Sequence, residues 1–334
     1  MRAKVLLDPH RRKLDNIFSP EDMSRLHSLA DIVWGRDEPA PPSEIEKYRD
    51  EVSAVITGYW GYGDVGAFPQ LRGILEVSGG FASPNDLDYP ACFARGIQVL
   101  SCAPAFGPAV AELGLGLALA AARQISHTDA AFRTGEENWS HTEFKNLFLL
   151  YDKPVGFIGF GGLARSLKPL LAPFRCPIQV YDPWLTDSFL RTQGVTPVDL
   201  DTLLVSSRII FVLAAPSASN AALLDREKLK RIAPDAVFVL LSRSHVVDFD
   251  ALTDLLTEGR FTAAIDVFPK EPLPIDHPIR RLDNVILSSH RAGAHPEALR
   301  NIGRIVVNDL EALLRGLPTQ EMQAARPEYI RLRG

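Results

Sequence analysis

Short apolar runs alternate along this chain with stretches whose apolar positions recur at helical spacing. Strands are expected at Ala3–Leu7, Asp31–Trp34, Ser53–Thr57, Gly73–Val77 and Ile97–Leu100. A second series is expected at Pro154–Ile158, Ile178–Tyr181, Ile209–Leu213, Ala236–Leu240, Thr262–Asp266 and Val285–Leu287. Between them, helices are expected at Pro20–Ala30, at Ser43–Asp50 with Ser43 as N-cap, and at Ala109–Ile125. Others should start near Asp225 and Asp248, both good N-caps, and at Pro296, running to about Leu314. Strands alternating with helices predict an α/β fold with parallel sheets covered by helices. The 334 residues suffice for two domains. The polar stretch Ser126–Asn146, with Trp139, can be read as a helix and loop packing on a neighbouring subunit or as a surface excursion.

One stretch carries a more specific signal. The apolar strand Pro154–Ile158 runs into Gly159-Phe160-Gly161-Gly162-Leu163-Ala164, and helical spacing follows through Leu167, Leu170, Leu171 and Phe174. The next apolar run ends on Asp182, 21 residues past Gly161. This is a G-x-G-x-x-A turn between strand and helix, with an acid closing the next strand. Gly159 permits the tight turn, Gly161 lets backbone approach a pyrophosphate, and Ala164 lets the helix pack closely. The helix N-terminus offers free N–H groups to phosphates, and Asp182 can accept from ribose hydroxyls. A dinucleotide site is therefore expected, with Gly159, Gly161, Gly162, Leu163 and Asp182 in contact. Pro169 and Pro173 should kink the helix or end it early. Asp182 favours NAD(H), since a 2′-phosphate would meet like charge and Pro183-Trp184-Leu185 offers no cation. Arg191 or Arg165 folding over the site would admit NADP(H).

Composition narrows the remaining classes. Net charge is −5 with no long basic run, so nucleic acid is not an expected partner. The first residues lack a signal-peptide core, and Ala109–Ile125, interrupted by Glu112, Gly114 and Gly116, reads as a buried helix with no membrane role. Cys92, Cys102 and Cys176 show no C-x-x-C spacing and predict reduced core thiols in a cytoplasmic protein. No histidine spacing suggests a metal.

Candidate chemistry lies just after strands, where open α/β sheets gather ligands. Arg243, Glu271 and His290 each follow a predicted strand. An Arg can hold a carboxylate and a carbonyl through its planar fork, a His can move a proton near neutral pH, and a carboxylate beside that His would orient it and favour its charged form. Two glycine turns, Gly58–Gly63 and Ser78-Gly79-Gly80, are candidate anion contacts.

From about Val52 to Leu314 the chain resembles the D-isomer-specific 2-hydroxyacid dehydrogenase family. The likeness is strongest over Ser242–Gly293, where Arg243, Glu271 and His290 are separated by 28 and 19 residues as the family pattern requires. The segment LRGILEVSGGFASPNDLDYPACFARGIQVLSC looks like the family's substrate turn, and AVAELGLGLALAAARQI like its interdomain helix. The resemblance implies two Rossmann-like doubly wound parallel-sheet domains with an active-site cleft between them. The substrate domain would comprise residues 1–100 plus 294–334, and the dinucleotide-binding domain residues 101–293. It implies Arg243, Glu271 and His290 as catalytic residues, and Ser78, Gly79, Gly80 and Arg243 as substrate contacts. Asp266 would stand at the nicotinamide end, with Ala215, Pro216 and Ser242 as further cofactor contacts. Hydride transfer between NAD(H) and a small 2-oxo or 2-hydroxy acid is the implied reaction, in a homodimer. Two sequence departures stand out: Arg243-Ser244 replaces the usual Arg-Gly, and Ser288-Ser289 the usual Thr-Pro. An NAD(H)-binding regulatory protein and formate oxidation are the rival readings. Retention of all three catalytic groups argues against the first, and Glu271 beside His290 against the second.

Overall fold

The computed structural model describes residues 2–139 and 147–333. The chain divides into two compact units, Met1–Gly107 with Gly293–Gly334, and Pro108–Ala292. The first begins with β1 (Ala3–Asp8), β2 (Ala30–Trp34), β3 (Val52–Thr57), β4 (Gly73–Glu76) and β5 (Gln98–Ser101). The second holds β6 (Val155–Ile158), β7 (Ile178–Tyr181), β8 (Thr196–Pro197), β9 (Ile209–Val212), β10 (Val237–Leu240), β11 (Thr262–Ile265) and β12 (Val285–Leu287). The helix Pro296–Leu314 and β13 (Gln323–Ala324) then return to the first unit.

In the first unit the strand order is β13-β5-β4-β3-β1-β2, parallel except where β13 runs against β5. Its strands are largely apolar because both faces are covered. Val5, Leu7, Ala54, Ile56 and Leu75 pack with Ile302, Val306 and Leu310 of the helix Pro296–Leu314. Leu6, Val55, Ile74 and Val99 face the other way, onto Trp60, Phe68, Tyr89 and Cys92. The order reverses between β1 and β3, so the turns after those strands and after β4 lie where ligands collect.

The second sheet runs β12-β11-β10-β9-β6-β7-β8, all parallel, with its switch between β6 and β9. This is the doubly wound arrangement that the alternation of elements predicts. The helix Gly107–Ala122 explains one glycine noted in the sequence. A Cβ on Gly114 would fall 2.5 Å from Leu241 Cδ1, so the missing side chain lets this helix lie close to the end of β10. The segment Ala103–Ala122 has mean hydropathy 1.6 and is long and apolar enough to cross a membrane, and half of it is buried within the protein.

Several local expectations are revised. The helix expected from Ser43 begins at Pro42, with Pro41 as N-cap and Ser43 in the first turn. Pro42 suits that place because its φ is preset and it has no N–H to leave unpaired. After the glycine turn, the helix Gly162–Leu171 accommodates Pro169 and then tightens into a 3-10 turn at Ala172–Phe174, the early end expected from the prolines. The stretch from Ser126 begins in a helix, Ile125–Thr134, and residues 140–146 fall outside the described residues. Cys92 and Cys102 are buried free thiols, whereas Cys176 is only partly covered.

Candidate active site

At the switch of the second sheet, Gly159 adopts φ +93°, and a Cβ there would lie 2.7 Å from the Ala214 backbone. The glycine is thus required both by its conformation and by the loop after β9, where Ala215 and Pro216 stand partly exposed. Gly161 is the N-cap of the following helix and supplies no capping side chain, so the first helical N–H groups point outward unclaimed by any side chain. A Cβ at Gly161 or Gly162 would meet open space, Leu163 is half-buried, and Ala164 is fully packed. Asp182 closes β7 and braces the turn. Its Oδ2 accepts the Phe160 N–H at 2.7 Å and its Oδ1 the Trp184 N–H at 2.9 Å. Uncapped helical N–H groups, bare glycines and an acid at the next strand end together fit the pyrophosphate and ribose of a dinucleotide. Of the two cations weighed for a 2′-phosphate, Arg191 pairs with Asp187 and Arg165 lies over the Phe189 ring.

Arg243 and His290 each stand three residues beyond a strand, β10 and β12. Arg243 is exposed, and its Nη1 donates to the Ser242 carbonyl at 2.7 Å. Ser242 itself is buried, and its Oγ has no hydrogen-bond partner among the described residues. His290 is held through its ring and through its backbone. Its Nδ1 lies 2.7 Å from Glu271 Oε2, and its backbone N–H donates to the Asp266 carbonyl at 2.8 Å. His290 takes φ +52°, a left-handed conformation that only a few per cent of non-glycine residues adopt. Such strain persists only where surrounding bonds fix it. Burial works to raise the Glu271 carboxyl, but hydrogen bonds from His290 and the Phe268 N–H, with the charges of His290 and Arg243, outweigh it and hold Glu271 below the ordinary glutamate range.

Asp266, expected at the nicotinamide end, is 0% exposed. Its Oδ1 accepts from Ser288 Oγ at 2.5 Å and the Arg291 N–H at 2.9 Å, and its Oδ2 from the Ala292 N–H at 3.1 Å. Its carboxylate therefore shapes the loop carrying His290. Sequence reasoning passed over His245, whose Nε2 lies 2.9 Å from the Ser217 carbonyl and ties the loop after β10 to the loop after β9.

In the first unit, the Ser78–Gly80 turn follows β4. Gly79 has φ +97°, and a Cβ on it would meet Phe106 Cε2 at 2.8 Å. Arg12 holds the turn from the loop after β1, donating through Nε to the Val77 carbonyl and through Nη2 to the Ser78 carbonyl. The other candidate turn, Gly58–Gly63, is folded inward. Trp60 is buried and donates to the Gly63 carbonyl, and Tyr62 bonds to Asp8 and Thr57.

Comparison with known proteins agrees with this geometry. Residues 115–292 match the family described as D-isomer specific 2-hydroxyacid dehydrogenase, NAD binding domain. A glyoxylate reductase of Thermofilum pendens is 32% identical over 323 residues, covering 91% of this chain and 93% of that protein. A D-3-phosphoglycerate dehydrogenase of Methanocaldococcus jannaschii is 33% identical over 234 residues, 70% of this chain, which spans only 44% of that relative. Among solved structures, a phosphoglycerate oxidoreductase from Rhizobium etli superposes with TM-score 0.83 at 36% identity, covering 97% of this chain and 99% of that one. The chain belongs to the D-isomer-specific 2-hydroxyacid dehydrogenase family, NAD-dependent oxidoreductases acting on CH–OH donors.

Proposed function

We propose that this chain interconverts a small 2-oxo acid and its D-2-hydroxy acid, with His290 as the proton carrier. The observation that carries the reading is the 2.7 Å pair of His290 Nδ1 and Glu271 Oε2 beyond the strand ends of the cofactor sheet. With Nδ1–H given to Glu271, the opposite nitrogen Nε2 is the one that gives a proton to the C2 oxygen during reduction and takes it back during oxidation. A nicotinamide cofactor held at the Gly159–Ala164 turn would supply or accept the hydride at C2. Arg243, whose guanidinium keeps donors beyond the one given to Ser242, holds the carboxylate and polarises the C2 oxygen. The Ser78 hydroxyl and Gly80 N–H add carboxylate contacts, with Gly79 shaping that turn. Gly159, Gly161, Gly162, Leu163, Asp182, Ala215, Pro216 and Ser242 line the cofactor, and Asp266 acts on its nicotinamide end through the 288–292 loop.

The relative's name makes glyoxylate the first substrate to try. NADH oxidation should be followed with glyoxylate, hydroxypyruvate and larger 2-oxo acids, and repeated with NADPH. His290→Asn should lower turnover by about 10²–10⁴-fold while NADH still binds. Near-normal kcat in that variant would remove His290 from the mechanism. Exposed Ile125, Phe132, Trp139, Leu149 and Tyr151 support a homodimer, for which sedimentation at micromolar concentration is the test. The three free thiols support a reduced, cytoplasmic setting.

A further inference from the structure

The first sheet carries a row of buried polar residues that the reaction as described does not use. Asp8, Thr57, Glu76 and Ser101 are the last residues of β1, β3, β4 and β5, and each pairs in register with the next. All four are buried, and Glu76 is 1% exposed. Asp8, Thr57 and Tyr62 satisfy one another in part, Tyr62 donating to Asp8 Oδ2 at 2.7 Å. Glu76 is different. Its Oε2 meets only Ser78 Oγ, at 3.2 Å, and its Oε1 has no hydrogen-bond partner among the described residues. A buried carboxyl so poorly satisfied has a substantial energetic cost, and it sits directly under the turn that follows β4.

The groups around Glu76 leave it unneutralised. Arg12, from the loop after β1, spends its hydrogen bonds on the Val77 and Ser78 carbonyls. Cys102, just past β5, is a thiol that burial pushes up to about 12, although the Arg12 charge and the Gly79 N–H work in the other direction. On β3 the neighbour is the neutral Thr57. Further along the row lie Asp8 and Tyr62, whose hydroxyl is held protonated by burial and the Asp8 charge. Gly79 N–H faces the Cys102 sulfur, the Ser78 hydroxyl donates to Glu76, and Gly80 N–H donates to Ser78 Oγ at 3.4 Å, a long bond that an arriving anion could replace.

We propose that Glu76 is a positioning residue for substrate binding, governing from beneath the turn whether the Ser78 hydroxyl is turned inward or offered to a substrate carboxylate. This rests on the reading of the Ser78–Gly80 turn as a carboxylate contact. When Glu76 is ionised, it accepts the Ser78 hydroxyl hydrogen and places negative charge beneath an anion. When it is protonated, it donates to Ser78 Oγ, and the hydroxyl hydrogen is free to point outward. Burial pushes the Glu76 carboxyl up to about 7, so the exchange falls near neutral pH. Anion binding then favours the protonated form, and by linkage a substrate arriving at alkaline pH draws a proton onto Glu76.

The test is calorimetric titration of the NADH-loaded enzyme with oxamate, an unreactive 2-oxo acid analogue, in two buffers of different ionisation enthalpy at about pH 8.5. The imidazole of His290 alone accounts for at most one proton taken up per site. The expected result is an uptake clearly above one, reduced by about one in Glu76→Gln. That variant should bind oxamate within about twofold of wild type at pH 6 and lose affinity less steeply above pH 7. Uptake of one proton or less in the wild type overturns the proposal, and so does unchanged uptake in Glu76→Gln. The wild-type measurement decides alone if the variant does not fold. Ser78→Ala separates the two readings, since it should weaken oxamate about tenfold at pH 6 if the turn holds the carboxylate. Unchanged affinity there refutes the turn; weakened affinity with wild-type uptake at one or below refutes only Glu76.

Discussion

His290 Nδ1 and Glu271 Oε2 are 2.7 Å apart, although 19 residues separate them, because the loops after β11 and β12 meet over the end of the second sheet. The pair fixes the orientation of the ring and, in the proposed mechanism, which nitrogen acts.

Glu271→Gln tests the charge in that pair. Glu271 is held below the ordinary glutamate range, so the carboxylate stays ionised in the native enzyme until pH falls through that lowered value, and the charge is fully present above the ordinary range. Removing it takes a charged hydrogen-bond partner from the ring, so kcat/KM for 2-oxo acid reduction should fall by about tenfold or more. The gap from wild type should shrink as pH falls through the lowered Glu271 value, where the wild-type charge is lost as well. Activity within about twofold of wild type at neutral pH would show that the Glu271 charge does not serve the ring.

The glycine turn makes a two-part prediction. Gly159→Ala must place a Cβ 2.7 Å from the Ala214 backbone at φ +93°, and should destabilise the protein by about 2–4 kcal/mol. Gly161→Ala meets nothing within 4 Å and should leave the melting temperature nearly unchanged while weakening NADH binding about tenfold or more. Normal NADH affinity in Gly161→Ala would mean that no phosphate approaches that backbone.

Asp266→Asn should act through the His290 loop. An amide placed where two oxygens now accept from Ser288, Arg291 and Ala292 turns a donor toward a donor. Stability should fall by about 1–3 kcal/mol, and kcat should fall more than NADH affinity. Loss of NADH affinity with kcat preserved would assign Asp266 to the cofactor directly.

Glu76 also predicts a pH dependence of stability. Its folded value of about 7 lies above the ordinary 4.5, so the native state holds a proton that the unfolded chain has released. That contribution is complete below about pH 4.5 and is lost as pH rises through 7, amounting to about 3 kcal/mol. Glu76→Gln should lack this component, so its stability should fall less than that of wild type over this interval. Parallel melting curves for both proteins from pH 5 to 8 would contradict the assignment.

The sheets were legible because apolar runs such as Ile209–Val212 and Val237–Leu240 are buried on both faces and bounded by polar turns. Arg243, Glu271 and His290 could be picked out as candidates because each follows such a run, and the structure brings Glu271 and His290 together. β13 was not, since a two-residue antiparallel pairing with Leu100 and Ser101 leaves no periodic trace. The Asp182 bond to the Phe160 N–H and the full burial of Asp266 depend on chain segments meeting in space. Glu76 has a readable sign in the sequence, an acid near the end of an apolar strand and two residues before the Ser78–Gly80 turn.

The way β13 and the helix Pro296–Leu314 complete the first sheet bears on how the protein is made. Ile302, Val306 and Leu310 cover a face built from residues near the start of the chain, yet leave the ribosome roughly 200 residues after β5. At ordinary rates of synthesis, that face of β1, β3 and β4 waits about 10–40 s for its cover. The second unit, unbroken from Pro108 to Ala292, can fold meanwhile. The nascent first sheet is thus the segment on which a holding chaperone would act, and the one from which aggregation would start when synthesis stalls.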